Sequence, residues 1–172
     1  GRRRKVRLRW YDSLQPERNV FFEVKWRDNR IGGKHRIELR AARPVAEMTY
    51  RQIVDGLIDV LPAELAGHLL ASSEPVAVIE YRREHFASAD GALRMTLDYD
   101  LAFYGQAGGQ YVSTSFPHRL HSLVVLEGKT PIGRESELRE LVHPLALRAG
   151  RCSKYVHGCR MLGLIPAAAG RP

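Results

Sequence analysis

Cysteine is nearly absent: Cys152 and Cys159 are the only two in 172 residues. That excludes a disulfide scaffold and makes a reducing compartment the expectation. Cys152, His157 and Cys159 fall short of the four ligands of structural zinc, so they read as ordinary thiols. The seven histidines show no pairing at metal-ligand spacing, and His85, His118 and His121 read as surface or loop residues. No apolar run approaches the length that crosses a bilayer. The basic start, residues 1–5, leads into an alternating pattern rather than the apolar core of a signal peptide. Solenoid repeats and low-complexity linkers are missing. Gly32-Gly33-Lys34 lacks the Walker A spacing and the following Ser or Thr. There is no G-x-S-x-G elbow. With no evident nucleophile, any catalysis has to rest on positioning and electrostatics, as phosphoryl transfer does.

What the chain does have is positive charge. Lys plus Arg number 27 against 19 acidic residues, a net charge of +8. Such an excess favours an anionic partner, and the placement of the cations decides which kind. Residues 5–11 alternate Lys5, Arg7 and Arg9 with Val6, Leu8 and Trp10, the period of a strand. Residues 20–27 put Phe22, Val24 and Trp26 opposite Glu23, Lys25 and Arg27. A loop is expected over 28–33. Residues 34–40 then set Lys34, Arg36, Glu38 and Arg40 against His35, Ile37 and Leu39.

The period changes to helical over 48–61, with Pro62 as the stop, and 63–72 reads as a second short helix. Strands return over 76–86 and 93–104. In the latter, Arg94, Thr96, Asp98 and Asp100 oppose Leu93, Met95, Leu97, Tyr99 and Leu101. A loop over 105–117, a strand over 122–129, a helix over 135–148 and a short segment over 153–162 complete the order. The Ala, Gly and Pro-rich tail, 166–172, is expected to fray. This order predicts an α+β fold with an antiparallel sheet or barrel, as one domain over 1–165.

One strand with a charged face is the solvated side of a sheet. Here five strands repeat it, through Arg7, Arg9, Lys25, Lys34, Arg36, Arg83 and Arg94. Neighbouring strands of this kind would set like charges opposite one another, which destabilises a sheet unless a polyanion neutralises them. Arginine suits that task because its planar fork grips phosphate oxygens in pairs. A sheet curled into a barrel would turn these groups into its lumen, with the apolar faces outward under the helices. Glu23, Asp98 and Glu127 lie on the charged faces. Each is open to two uses, an ion pair with a basic neighbour or a divalent cation against phosphate oxygens; for Glu23 the ion pair is favoured.

Seven segments in order resemble one family. They are Val6-Arg7-Leu8-Arg9-Trp10-Tyr11, Phe22-Glu23-Val24-Lys25, Lys34-His35-Arg36, Tyr81-Arg82-Arg83-Glu84-His85-Phe86, Arg94-Met95-Thr96-Leu97-Asp98, Leu126-Glu127-Gly128-Lys129 and Ser153-Lys154-Tyr155. Together they resemble the polyphosphate polymerase (VTC) domain of the vacuolar transporter chaperone complex, one of the triphosphate tunnel metalloenzymes. The resemblance implies an antiparallel, CYTH-like tunnel barrel with a basic interior and helices packed outside. It implies transfer of the γ-phosphate of ATP onto a growing polyphosphate chain with Mn or Mg. Lys25, Arg83, Lys129 and Lys154 would act on the reacting phosphates. Arg7, Arg9, Lys34, Arg36 and Arg94 would bind the chain, and Glu127 would hold the metal. The implied partners are ATP and inorganic polyphosphate or pyrophosphate, with a membrane-protein partner outside this chain and a cytoplasmic location.

The family has an initial helix and strands, with a further tunnel lysine, ahead of the Arg-x-Arg strand. They are missing here, so the barrel is expected to be incomplete at its start and the chain alone inactive or poorly folded. Gly128 stands where the family has a bulkier residue, which is expected to loosen that strand. Three rival readings remain: a tunnel hydrolase of tripolyphosphate or nucleoside triphosphates, a non-catalytic polyphosphate or nucleotide sensor, and a nucleic-acid binder. The last is disfavoured, because aromatics and charges mostly occupy opposite faces, whereas base stacking needs them side by side.

Overall fold

The computed structural model describes residues 3–28, 31–147 and 149–166. The chain divides into two compact units, Gly1–Val78 with Gly105–Ser115, and Ile79–Tyr104 with Phe116–Pro172. The expected fraying tail lies outside the described residues except for Pro166, as does Arg148 at the end of an expected helix.

In the first unit, β1 (Arg3–Arg9), β2 (Asn19–Asp28) and β3 (Ile31–Arg40) form an antiparallel sheet in the order β1-β2-β3. Alternation sends Val20, Phe22 and Val24 of β2 to one face, where all three are buried. Val6, Leu8, Ile37 and Leu39 of the flanking strands pack beside them. This face is covered by α1 (Tyr50–Ile58) and α2 (Ala63–Leu70), which contribute Ile53, Leu57, Leu65 and Leu69, with Leu61 between them. The helix predicted from residue 48 starts at Tyr50 because Thr49 caps it. The Thr49 hydroxyl accepts from the Gln52 N–H, and the Gln52 side chain accepts from the Thr49 N–H, a reciprocal capping box. Pro62 does not end α1 but stands ahead of α2.

The loop expected over 28–33 is a correction. Pairing runs on to Asp28↔Ile31, so both glycines are in β3, and only residues 29 and 30, outside the described residues, separate the strands. The glycines are there because Trp26 lies against them. A Cβ on Gly33 would come within 2.8 Å of the indole, and one on Gly32 within 2.9 Å of the Trp26 carbonyl oxygen. They mark close approach, not a turn.

In the second unit, β5 (Arg94–Gly105) pairs with β4 (Ala77–Ala87), whose first two residues belong to the other unit. It pairs antiparallel with β7 (Val125–Lys129) along Arg94–Asp98 and with β6 (His118–Leu120) along Leu101–Phe103. Between those ladders Asp100 has φ 52°. This residue bulges the strand and breaks its alternation. Asp98 therefore meets Arg83, while Asp100 meets Arg82, the next residue of β4. The expectation that Asp98 and Asp100 share a face does not hold. Two helices complete the unit: α3 (Glu135–Val142) and α4 (Lys154–Met161), the latter capped by the Ser153 hydroxyl. A 3-10 turn containing Pro144 follows α3 at His143–Leu145, where the longer helix was expected. Gly128 does not leave a gap: the Leu138 side chain of α3 occupies the place its Cβ would take.

The α+β class and the antiparallel pairing expected from the sequence are what the chain adopts. Among the described residues no closed barrel is found, and no helix is long and apolar enough to cross a membrane.

Candidate functional site

On the face of the β1-β2-β3 sheet opposite the helices, register stacks the charges in rows. Arg3 is opposite Arg27. Lys5, Lys25 and Lys34 stand in line across the three strands. Arg7, Glu23 and Arg36 form the next row, and Arg9, Phe21 and Glu38 the one after. The lysine row contains no carboxylate. Each row is two residues from the next, about 7 Å along the strands. At the lysine end of the sheet an open groove of ≈ 600 Å³ is lined by residues of both parities, Lys5, Lys25 and Lys34 from the lysine row and Arg4, Trp26 and Gly33 from the row beside it.

Glu23 anchors this face. Its carboxylate is fully buried; Oε2 accepts from Arg7 Nε at 2.7 Å. Oε1 is buried without a hydrogen bond, and Arg9 and Arg36 stand off from it at 4.0 and 3.7 Å. Burial alone would raise the Glu23 pKa. The Arg7 hydrogen bond and the charges of Arg7, Arg9 and Lys34 outweigh it and hold the group below its ordinary value. The ion-pair reading of Glu23 is the one the geometry bears out. One carboxylate holds three guanidinium groups within 4.0 Å, so this row keeps a surplus of positive charge.

The second unit has its own cationic face. Arg94 is directly opposite Lys129, and Thr96 opposite Glu127. Asp98, fully buried, is gripped by Arg83 through Nε to Oδ1 at 2.5 Å and Nη2 to Oδ2 at 2.7 Å. Lys154 Nζ pairs with the same Oδ2. Burial raises the Asp98 pKa, but these two cations outweigh it and the net shift is downward. The Arg83 guanidinium is held correspondingly above its ordinary value, first by its bonds to Asp98. Both cations also lie against the Tyr81 ring, at 5.2 and 5.0 Å from its centroid, close enough for cation–π attraction.

The helix that carries Lys154 is set by a glycine. Gly158 lies one turn after Lys154, on the same side of α4. A Cβ there would fall 2.6 Å from the Phe103 ring. The missing side chain lets α4 seat directly on β5, and that brings Lys154 to Asp98.

Among the described residues no cluster of three His, Cys, Asp or Glu side chains could hold a metal by itself. Glu127 is half-exposed, with Lys129 Nζ 3.4 Å from Oε1. Across from it the Thr96 hydroxyl is buried with no hydrogen-bond partner. One carboxylate and one hydroxyl are oxygen donors of the type a hard divalent cation takes. They fit an ion whose other ligands come from phosphate and water. Asp98 does not fit that role, because its oxygens are taken by Arg83 and Lys154.

Each sheet thus gathers its own cations: Arg7, Arg9, Lys25, Lys34 and Arg36 on the first, Arg83, Arg94, Lys129 and Lys154 on the second. Three features of these faces escaped the sequence. Strand β6 is only three residues long. The Asp100 bulge had no glycine to mark it. Tyr11 and Phe21 lie on the charged face, exceptions to the expectation that aromatics and charges mostly occupy opposite faces. Their ring centroids are 5.6 Å apart in an edge-on arrangement. The odd position of Phe21, in step with Glu23, Lys25 and Arg27, was the signal available for it.

Rows of opposed cations on antiparallel strands concentrate positive charge on these faces, the kind of surface that draws anions. The chain belongs to the VTC domain family, whose model matches residues 1–163. That membership associates it with polyphosphate metabolism. No curated protein and no solved structure matches it significantly.

Proposed function

We propose that the chain is a metal-dependent polyphosphate polymerase domain that transfers the γ-phosphate of ATP onto inorganic polyphosphate. The observation that carries this reading is the register Lys5↔Lys25↔Lys34, repeated in kind by Arg94↔Lys129. Like charges directly opposed cost a sheet stability. A bound phosphate chain offsets that cost, and membership of the VTC family supports polyphosphate as that ligand.

In the reaction a terminal oxygen of the acceptor chain attacks the γ-phosphorus in line. A new P–O bond forms, the bond to the β,γ-bridging oxygen breaks, and ADP leaves with the electron pair. Lys25, Arg83, Lys129 and Lys154 neutralise the reacting phosphates, lowering the repulsion between two anions. Arg7, Arg9, Lys34, Arg36 and Arg94 hold the phosphates on either side. Glu127, opposite Thr96, would hold Mn or Mg, which would supply positive charge to the reacting phosphates. Glu23 and Asp98 keep the arginines and Lys154 in place. The basic barrel interior and a cytoplasmic setting belong to the same proposal.

Incubation of the chain, preceded by the family's initial helix and strands, with ATP and Mn, followed by gel analysis for long phosphate chains and assay of free phosphate, tests it. Long chains, lost in Lys25→Ala and Lys129→Ala, are the expected result. Free phosphate without chains identifies a tunnel hydrolase instead. Binding of tripolyphosphate without either product identifies a sensor.

A further inference from the structure

The rows of the β1-β2-β3 sheet are graded. Cations alone fill the rows at one end, Arg3 with Arg27 and then Lys5, Lys25 and Lys34; Arg7 and Arg36 flank Glu23 in the next, and Arg9 and Glu38 flank the Phe21 ring in the one beyond. A phosphate chain, the same at every position, has no use for such a gradient. A nucleotide has, since one end is a flat aromatic base and the other a run of phosphates.

At the aromatic end Tyr11 is half-exposed. Its edge contact with Phe21 and two guanidinium groups fix it in place. Arg9 and Arg36 each donate to its hydroxyl at 3.4 Å, and their guanidinium carbons lie 6.0 and 5.9 Å from its centroid. Arg36 covers Phe21, 3.9 Å from that ring's centre. Tyr11 is therefore the ring left open to a ligand, held rigid and flanked by phosphate-binding groups. From the Arg9 row to the Lys5 row is four residues, about 13 Å, enough for a ribose and an extended triphosphate.

We infer that Tyr11, with Phe21 behind it and Arg9 and Arg36 at its hydroxyl, is a nucleobase-stacking subsite. It sets the direction of a nucleoside triphosphate along the sheet: base at Tyr11, outer phosphates at Lys5, Lys25 and Lys34. This rests on the phosphate-binding reading above and adds the nucleoside to it. Stacking accepts any base with a π-face, so the subsite selects nucleotides over bare phosphate chains rather than one base over another.

The test is calorimetric titration of the full chain with ATP and, separately, with tripolyphosphate, for the unaltered protein, Tyr11→Ala and Tyr11→Phe. Tyr11→Ala should weaken ATP binding about ten-fold, the scale of one lost base stack, and leave tripolyphosphate within about two-fold. Tyr11→Phe, which keeps the ring, should restore ATP binding. Equal loss of both ligands in Tyr11→Ala, or no loss of either, overturns the subsite and leaves phosphate binding standing. So does an unaltered protein that binds tripolyphosphate but not ATP. Binding of neither ligand by the unaltered protein removes the phosphate reading itself, and the subsite with it.

Discussion

Asp98 and Glu23 are the two residues on which the charged faces turn. Both are carboxylates without solvent exposure, on strands, ringed by cations. Removing one partner of a buried ion pair leaves the others uncompensated, at a cost of about 3–5 kcal/mol. Asp98→Asn should lose stability on that scale in urea denaturation, because Arg83 and Lys154 are then held together with no anion between them. The pH dependence follows from the direction of the shifts. Each carboxyl is held below its ordinary value, 4.5 for Glu23 and 3.8 for Asp98. The folded state therefore binds fewer protons than the unfolded one in that region, and stability falls as pH drops. The contribution is whole above those ordinary values and disappears as pH falls through the depressed ones. A urea midpoint that stayed flat from pH 5 to pH 2 would contradict this assignment. In Asp98→Asn the acid limb should be shallower, leaving the part carried by Glu23 and by the surface carboxylates Asp90 and Glu137, which are also held below their ordinary values.

At the scale of elements, helices are docked by what glycine omits. Gly158 brings α4 onto Phe103, and Gly128 receives Leu138 of α3. The two differ in what a methyl group would meet. At Gly128 it meets the end of a flexible leucine, which can turn aside. At Gly158 it meets a fully buried ring. Gly158→Ala gains about 1 kcal/mol of helix propensity, yet overpacking against Phe103 costs about 1–3 kcal/mol. The substitution is expected to be neutral to destabilising by up to about 2 kcal/mol. Its clearer mark is displacement of Lys154 from Asp98, visible as a weaker acid limb in the same pH series. A thermal shift upward by several degrees would show that α4 does not seat as described. The same scale accounts for β2 as the core strand of its unit: Phe22→Ala should cost about 3–5 kcal/mol, read by denaturant midpoint, since the ring is buried against both flanking strands and the helices.

For the whole molecule, charge is the dominant property. A surplus of +8 gathered in part into opposed rows is expected to make the folded chain sensitive to anions. Tripolyphosphate should raise the melting temperature by mass action. The rise should shrink as NaCl increases from about 0.05 to 0.5 M, because screening shortens the reach of exposed charges. Lys25→Glu, which reverses the middle of the lysine row, should abolish most of that rise while keeping the far-UV spectrum. An unchanged response would move the anion site away from this row.

The strands were legible in the sequence because a half-buried sheet needs a period of two, and Val6, Leu8, Val20, Phe22, Val24, Ile37 and Leu39 keep it. The cationic residues were legible for the same reason, since each occupies the other parity. The helices showed themselves through Ile53 and Leu57 and through Pro62, though the Thr49 cap rather than the apolar spacing set where α1 begins. Register was not legible: periodicity assigns a face, not a partner. That Lys25 meets Lys5 on one side and Lys34 on the other, and Arg94 meets Lys129, follows from how separate strands align. The Asp100 bulge lay hidden because a positive φ in an aspartate leaves no mark on composition. Gly32 and Gly33 read as part of a loop and Gly128 as a loosening of its strand, until Trp26 and Leu138 were seen beside them; Gly158 carried no sign of its contact with Phe103. The sequence by itself determined which residues share a face, because that depends only on the local repeat of the backbone. The tertiary structure decided which charges oppose, which carboxylates are consumed by ion pairs and where an aromatic ring stands among arginines, because those depend on contacts between distant segments.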